Sequence, residues 1–325
     1  MMKNLLQPRQ LLDALASGEP VSGAALAESI GVTRAAVWKH VAALRERGLP
    51  IDARTGLGYR LPWPIQLLDA DAIAAYPGAA RAGCLEVHWE LDSTSSELAR
   101  RKSALPDMAV VLAEAQSAGR GRRGRPWLSP PGLNLYLSCL KRFEHGFAGL
   151  SGLSLAVGVC VVQALEDVGV AGAGLKWPND VHADQGKLAG VLVELGGEYQ
   201  GPCTAIIGVG INVRLPPALQ ADITQPATDL AALGGGPAPD RNRLAAALVA
   251  RLADGLARFA GQGFAAFADE FARLDRLRGR VLHLQGPNDT FTGTGAGVDA
   301  RGALRVSTDA GERLVDSAEV TVRAQ

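Results

Sequence analysis

The sequence predicts an α+β protein in three parts, and three observations carry that prediction. The first sixty residues read as two capped helices followed by a short hairpin; residues 68–274 mix strand-like and helix-like stretches; and from Leu277 onward short alternating runs are separated by glycine and aspartate turns. Of 325 residues, 47% are hydrophobic and 20% charged, which suits a soluble globular chain of two or three domains and excludes disordered and fibrous classes. The 33 basic and 33 acidic side chains cancel, so attraction to nucleic acid or membrane must be local.

One local excess is N-terminal. Residues 1–61 carry eight Lys/Arg against five acids, and six of the eight follow residue 33. Ser22 is placed to cap a helix Gly23–Ile30, Gly31-Val32 makes a tight turn, and Thr33 caps a second helix running to about residue 47. In that second helix Val37, Val41 and Leu44 fall at i, i+4, i+7 and face a small core, while Arg34, Ala35, Trp38 and Lys39 project outward. Residues 51–61 read as two short strands around Thr55-Gly56, a wing whose Arg54 and Arg60 reach toward phosphates. Residues 1–63 are therefore predicted to be a winged helix-turn-helix, with Thr33, Arg34, Ala35, Trp38, Lys39 and Arg54 as DNA-contacting candidates. A helical protein-interaction module is the competing reading, and the agreement of caps, turn, wing and charge favours DNA. Leu61-Pro62-Trp63-Pro64 reads as a linker. Gln7-Pro8-Arg9-Gln10 and Asp13 interrupt the apolar core that a signal peptide requires.

The central part, 64–274, is predicted to form strands at 85–91, 109–113, 134–140, 188–195 and 204–211, and helices at 96–102, 150–167 and 242–259. The greasiest stretch, 148–162, is shorter than the ~20 apolar residues that span a bilayer and reads as a buried helix. Cys84, Cys139, Cys160 and Cys203 lack any C-x-x-C spacing, which predicts reduced thiols and a cytoplasmic protein without membrane partners.

Polar spots punctuate this apolar background. Gly119-Arg120-Gly121-Arg122-Arg123-Gly124-Arg125 alternates chain flexibility with planar donor forks suited to phosphate or carboxylate. A disordered RNA-binding tail has the same composition, but apolar flanks at 108–114 and 127–138 place this run inside a folded domain. Asp92-Ser93-Thr94-Ser95-Ser96 lies between a strand and a helix; it reads either as an N-cap or as a set of donors for a small polar head group. Gln116 sits at the mouth of the Gly/Arg run. In Lys176-Trp177-Pro178-Asn179-Asp180 the proline forces Trp177 to be extended and helps aim Lys176. Lys187-Leu188-Ala189-Gly190 opens one strand, and Gly208-Val209-Gly210-Ile211-Asn212 closes another.

In this order and approximate spacing, the chain resembles the biotin protein ligases, and with the winged helix in front it resembles the bifunctional ligase/repressor form over essentially its whole length. The resemblance implies a catalytic domain related in fold to class II synthetases and lipoate ligases. It implies two steps: biotin and ATP give biotinyl-5′-AMP and pyrophosphate, with Mg2+ screening the remaining phosphate charge, and a lysine of biotin carboxyl carrier protein then takes the biotinyl group. By motif match Ser93, Thr94, Ser95 and Gln116 meet biotin, Arg120, Gly121 and Arg122 close over biotinyl-AMP, and Lys176 and Arg122 are the catalytic candidates. Trp127, Leu133, Leu188 and Gly190 would line the slot for the alkyl chain and ring. Asn179, Asp180, Lys187, Gly190, Asn212 and Arg323 are supporting, ATP or carrier candidates; no metal-ligand set is assigned. Ser95 stands where the family usually has asparagine, and it reaches less far and offers fewer bonds.

The family further implies repression of biotin genes by a ligand-promoted homodimer on operator DNA. Two alternatives keep only one function: a biotin-sensing regulator with weak ligase activity, or a ligase whose winged helix binds no operator. A lipoate ligase shares the catalytic fold, but the Gly/Arg loop and the N-terminal module argue against it. Residues 275–325, with strand-like runs at 281–284, 290–298, 303–307, 312–316 and 320–323, predict an SH3-like β-barrel ending in Glu319-Val320-Thr321-Val322-Arg323. It reads equally as a structural cap or, by resemblance, as an aid to ATP and carrier engagement.

Overall fold

The computed structural model describes residues 2–197, 201–285, 290–316 and 321–324. The N-terminal part comprises α1 (Met2–Ala14), α2 (Gly23–Ile30), α3 (Arg34–Glu46) and a hairpin of β1 (Asp52–Arg54) and β2 (Gly58–Arg60). Both expected caps are present: Ser22 Oγ accepts from the Ala25 N–H at 3.1 Å and Thr33 Oγ1 from the Ala36 N–H at 3.2 Å. Val37, Val41 and Leu44 enter a small core with Leu26, Leu49 and Ile51. The first helix was not among the elements expected from the sequence. Pro8 lies inside α1, yet Leu11, Leu12 and, just beyond the helix, Leu15 are fully buried in this core, and their packing outweighs a proline penalty of about 3 kcal/mol.

The central sheet follows α4 (Ala70–Ala74) and contains β3 (Cys84–Leu91), then α5 (Thr94–Arg101), β4 (Ala109–Gln116), β5 (Leu135–Phe143), α6 (Leu153–Asp167), β6 (Gly174–Lys176), β7 (Asp180–Ala183), β8 (Gly186–Gly197) and β9 (Cys203–Ile211). Short helices α7 (Pro217–Gln220) and α8 (Leu230–Gly234) lead to the long α9 (Arg241–Gln262) and α10 (Ala268–Leu274). The strand order is β3-β4-β5-β9-β8-β7-β6, with β3–β4 parallel and the other pairs antiparallel, so the sheet is mixed. Both faces of β4 are covered, which is why its residues 109–113 read as an unbroken apolar run. Val110 and Leu112 face the core under α6 and α9, whereas Ala109 and Val111 pack with Leu98 of α5 on the other side. The β6–β7 hairpin was not among the strands expected from the sequence; its strands are only three and four residues long, too short for a periodic signal.

A buried ion pair pins the layers. Glu114 and Arg241, 2% and 3% exposed, meet at 2.9 Å; Arg241 also donates to the carbonyls of Gln66 and Asn134, and Glu114 accepts from the N–H groups of Leu68 and Gly132.

The C-terminal strands β10 (Val281–Gln285), β11 (Thr290–Val298), β12 (Leu304–Thr308), β13 (Gly311–Val315) and β14 (Thr321–Ala324) form one antiparallel sheet in the order β13-β12-β11-β10-β14, in keeping with the small SH3-like module. Glu319 lies outside the described residues, as does the side chain of Arg323, whose backbone pairs with His283. Among the described residues no helix is long and apolar enough to cross a membrane.

Candidate active site

A cavity of about 1060 Å3 opens on the sheet face opposite α6 and α9. Alternation along the strands builds its floor: Tyr136 and Ser138 of β5, Gly208 and Gly210 of β9, and Gly190 and Leu192 of β8 all line it. Gly190 and Gly210 are register partners, and neither has a side chain to fill the space. The Trp127 indole occupies it instead, so near that a Cβ on Gly210 would come within 2.5–2.8 Å of the ring. A close backbone approach of this kind requires glycine.

One end of the cavity is neutral and hydrogen-bonding. Ser93, Thr94 and Ser95, each at most 4% exposed, start α5 against the floor. The Thr94 N–H donates to Gln116 Oε1 at 2.9 Å, Thr94 Oγ1 shares a hydrogen bond with Ser138 Oγ at 2.7 Å, and Ser95 Oγ shares another with Ser138 Oγ at 2.9 Å. Gln116 Nε2 donates onward to Ser129 Oγ at 3.0 Å. Ser93 occupies the N-cap position, but its side chain makes no capping bond. The capping alternative is thus not realised by this hydroxyl. Ser138 was not singled out from the sequence, although a lone polar residue within Leu135-Tyr136-Leu137-Ser138-Cys139-Leu140 was a usable signal.

The other end is cationic. Gly119 is packed so closely that a Cβ there would meet Trp127 O at 2.6 Å and Ser129 Oγ at 2.7 Å. The loop then turns back on itself, the Gly121 N–H donating to Arg125 O at 2.7 Å. Arg120, exposed on the rim, pairs with Glu194 at 3.1 Å; Arg122 is half-buried and donates to Asn179 Oδ1 at 3.2 Å. Burial lowers the Arg122 pKa and Arg123 adds to the effect, but the group stays cationic at any ordinary pH. Lys176 ends β6 beside them, followed by the turn Trp177-Pro178-Asn179, whose Trp177–Pro178 peptide is cis. Asn179 is held by its Nδ2 donating to Val191 O at 2.7 Å. Lys187 Nζ lies 2.7 Å from Asp180 Oδ1 and 5.3 Å from the centroid of the Trp127 ring. Burial opposes ionisation of Asp180, but His182 and Lys187 outweigh it and its pKa falls below the usual carboxylate value.

Two apolar residues expected in the slot are elsewhere. Leu188 and Leu133 are buried off the cavity wall. For Leu188 the cause is a register shift between Val181 and His182 opposite it, which interrupts alternation so that Lys187 and Gly190 both line the cavity while Leu188 turns into the core. Trp127 and Gly190 do line it, as does Asn212, and the segment 222–227, which carried no sequence signal, completes one wall.

A family model for the biotin/lipoate A/B protein ligase family matches residues 90–212, one for an HTH domain matches 8–60, and one for the biotin protein ligase C-terminal domain matches 280–323. The chain is 38% identical over 323 residues to the bifunctional ligase/repressor BirA of Salmonella typhimurium, covering 99% of both chains. The chain belongs to the bifunctional biotin protein ligase/repressor family. Its counterpart in Escherichia coli is also 38% identical, over 95% of this chain and 94% of the relative. Among solved structures, the biotin protein ligase of Aquifex aeolicus in complex with biotin and ATP is similar with a TM-score of 0.64 at 29% identity, covering 74% of this chain and 99% of that one.

In this ligase/repressor the DNA-contacting candidates form a second, separate surface. Thr33, Arg34, Ala35, Lys39 and Arg54 are exposed, and Trp38 is 62% exposed. Arg60 pairs with Asp52 at 3.3 Å within the wing, so its charge is partly answered there. The N-terminal part touches the central part away from both surfaces: Arg47, at the end of α3, meets Glu90 of β3 at 3.1 Å, and Gly48 lies against the Leu219 side chain.

Proposed function

We propose that the cavity joins biotin to ATP and passes the biotinyl group to a lysine of biotin carboxyl carrier protein. The observation that carries this reading is the placement of a hydrogen-bonding end and a cationic end in one cavity, with the Trp127 indole and bare glycines between them. A ureido head group needs donors and acceptors, which Ser93, Thr94, Ser95 and Gln116 supply; the alkyl chain needs an apolar wall. The carboxylate then reaches the end held by Arg122 and Lys176. A carboxylate oxygen attacks the α-phosphorus, its bond to the bridging oxygen breaks, and pyrophosphate leaves. Two anions must approach for this, and fixed cations with backbone N–H groups of the Gly119–Arg125 run stabilise the crowded charge. In the second step the carrier's amine attacks the acyl carbon, loses its proton, and AMP leaves.

The residues present suit Mg2+ carried by the nucleotide. Among the described residues no group of three His, Cys, Asp or Glu side chains could hold a metal, whereas Asp180 and Asp222 line the cavity. Mg2+ usually binds through substrate phosphates and one or two carboxylates. It would supply charge neutralisation; Lys176 and Arg122 supply orientation. The exposed face of α3 would read operator DNA as a homodimer promoted by biotinyl-AMP. Gel shifts and sedimentation with and without biotinyl-AMP test that part; a monomer that never shifts DNA would leave the ligase alone.

The ligase reading is tested by pyrophosphate release on mixing the protein with biotin and MgATP, followed by labelling of the carrier protein. Lys176→Ala is expected to slow adenylation at least about a hundredfold. Undiminished adenylation by that variant would remove Lys176 from the mechanism.

A further inference from the structure

Lys176 is one of three consecutive positions whose neighbours are held from behind. In β6, Leu175 is buried in the main core and Trp177, 1% exposed, joins it, so Lys176 between them faces the cavity. The Trp177 indole is satisfied by a residue 125 positions away: Nε1 donates to the Gly302 carbonyl at 3.0 Å. Gly302 belongs to the turn between β11 and β12, outside the catalytic domain. That turn is itself well fixed. Asp299 Oδ1 accepts from the N–H groups of Arg301 and Ala303, each at 2.8 Å, and Ser151 Oγ donates to Arg301 O at 2.7 Å. Gly302 has a φ of +82°, and a Cβ on it would lie 2.9 Å from Gly152 Cα and 3.0 Å from Leu155. Only glycine lets the turn sit this close. Ser154, in the first turn of α6, donates to Pro178 O at 3.0 Å, and Arg276 N donates to Leu175 O at 2.9 Å.

We propose that the 299–302 turn of the C-terminal sheet is a positioning element for adenylation: by receiving the Trp177 indole, Gly302 fixes the 176–179 turn and hence the direction of Lys176. The C-terminal module thereby acts on the first half-reaction without touching substrate. Trp177 and Gly302 are positioning residues, and this inference rests on the reading of Lys176 given above. The chemistry favours a specific hold over mere packing, because leaving the buried Trp177 indole N–H without its acceptor is costly. The lysine shares the backbone of that ring.

The test uses the full chain. Trp177→Phe keeps an aromatic ring, though a smaller one, and removes the donor; Gly302→Ala keeps the indole and pushes its acceptor away. For both we expect the single-turnover rate of biotinyl-AMP formation, counted per biotin-binding site, to fall roughly 10- to 100-fold, the range for a catalytic group displaced by about 1 Å. The affinity for biotin alone should stay within about twofold of the parent, since that end of the cavity is untouched. A purely structural role would instead reduce the number of sites, or weaken biotin binding in parallel, and leave the rate per site unchanged; that result in both variants overturns the proposal. Lys176→Ala is run beside them. If it adenylates normally, the role of Lys176 has failed; if it is slow while Trp177→Phe and Gly302→Ala are not, only the positioning inference has.

Discussion

The Arg122 guanidinium donates to Asn179 Oδ1 at 3.2 Å, so the Gly/Arg loop is tied to the turn that follows Lys176. Two motifs 57 positions apart thus form one rim, and Asn179 is the link, since its Nδ2 is held by Val191 O at 2.7 Å. Removing that link should loosen the rim without emptying the cavity. Asn179→Ala is expected to speed dissociation of biotinyl-AMP about tenfold, the equivalent of one charge-assisted hydrogen bond of about 1.4 kcal/mol. A chase of labelled intermediate with unlabelled biotin and ATP measures this, and an unchanged off-rate would show that the loop holds ligand without its anchor.

The floor of the cavity gives a steric prediction. A methyl group on Gly210 must displace the Trp127 indole, because the ring lies 2.5–2.8 Å from where the Cβ would stand. Gly210→Ala should weaken biotin binding at least about tenfold while lowering stability by no more than about 1–3 kcal/mol, the usual cost of overpacking. Calorimetric titration with biotin and a denaturant melt separate the two effects.

Glu114 is expected to matter for folding and little for chemistry. Replacing it by alanine leaves the Arg241 guanidinium buried without its carboxylate and the N–H groups of Leu68 and Gly132 without an acceptor. A loss of about 3–5 kcal/mol follows from breaking one side of a buried pair. Urea unfolding of Glu114→Ala checks it; a shift under about 1 kcal/mol would mean that water reaches the site.

Acid stability carries the mark of another pair. Arg101, hydrogen-bonded to Glu86 at 2.7 Å, holds that carboxyl down at about 2, against 4.5 for an ordinary glutamate. A depressed folded-state pKa contributes stability that is full above about 4.5 and is lost as pH falls toward about 2. Because both groups touch solvent, the contribution is about 1 kcal/mol. Glu86→Gln should therefore be less stable than the parent at pH 7, and the gap should close across that window. Denaturant midpoints at pH 7, 4 and 2.5 would reveal it; a constant gap would assign the effect to something other than ionisation.

Lys39, one of the DNA-contacting candidates, is exposed on α3 and does not line the cavity. Lys39→Ala should weaken binding to duplexes of any sequence and reduce the slope of log affinity against log salt by about one, as expected for a lost phosphate contact. Adenylation should not change. Equal weakening at every salt concentration would argue against a phosphate contact.

Much of the protein is legible in its sequence where the signal is local. Ser22 and Thr33 announce their helices because a cap depends on residues three positions on; Val37, Val41 and Leu44 announce their face because helical period is a property of the segment. The order of the Gly/Arg run, the lysine turn and the strand-closing glycines specifies the family, and hence the chemistry, without coordinates. Tertiary structure decided what depends on distant partners. It made a helix of the Pro8 segment by burying Leu11, Leu12 and Leu15, turned Leu188 away from the cavity through a register shift, and brought Ser138 beneath Thr94 and Ser95. It also joined Trp177 to Gly302, a contact across 125 residues that no periodicity encodes. Caps and periods are set by the chain's own short-range sterics, whereas these contacts exist only once separate elements have closed on one another.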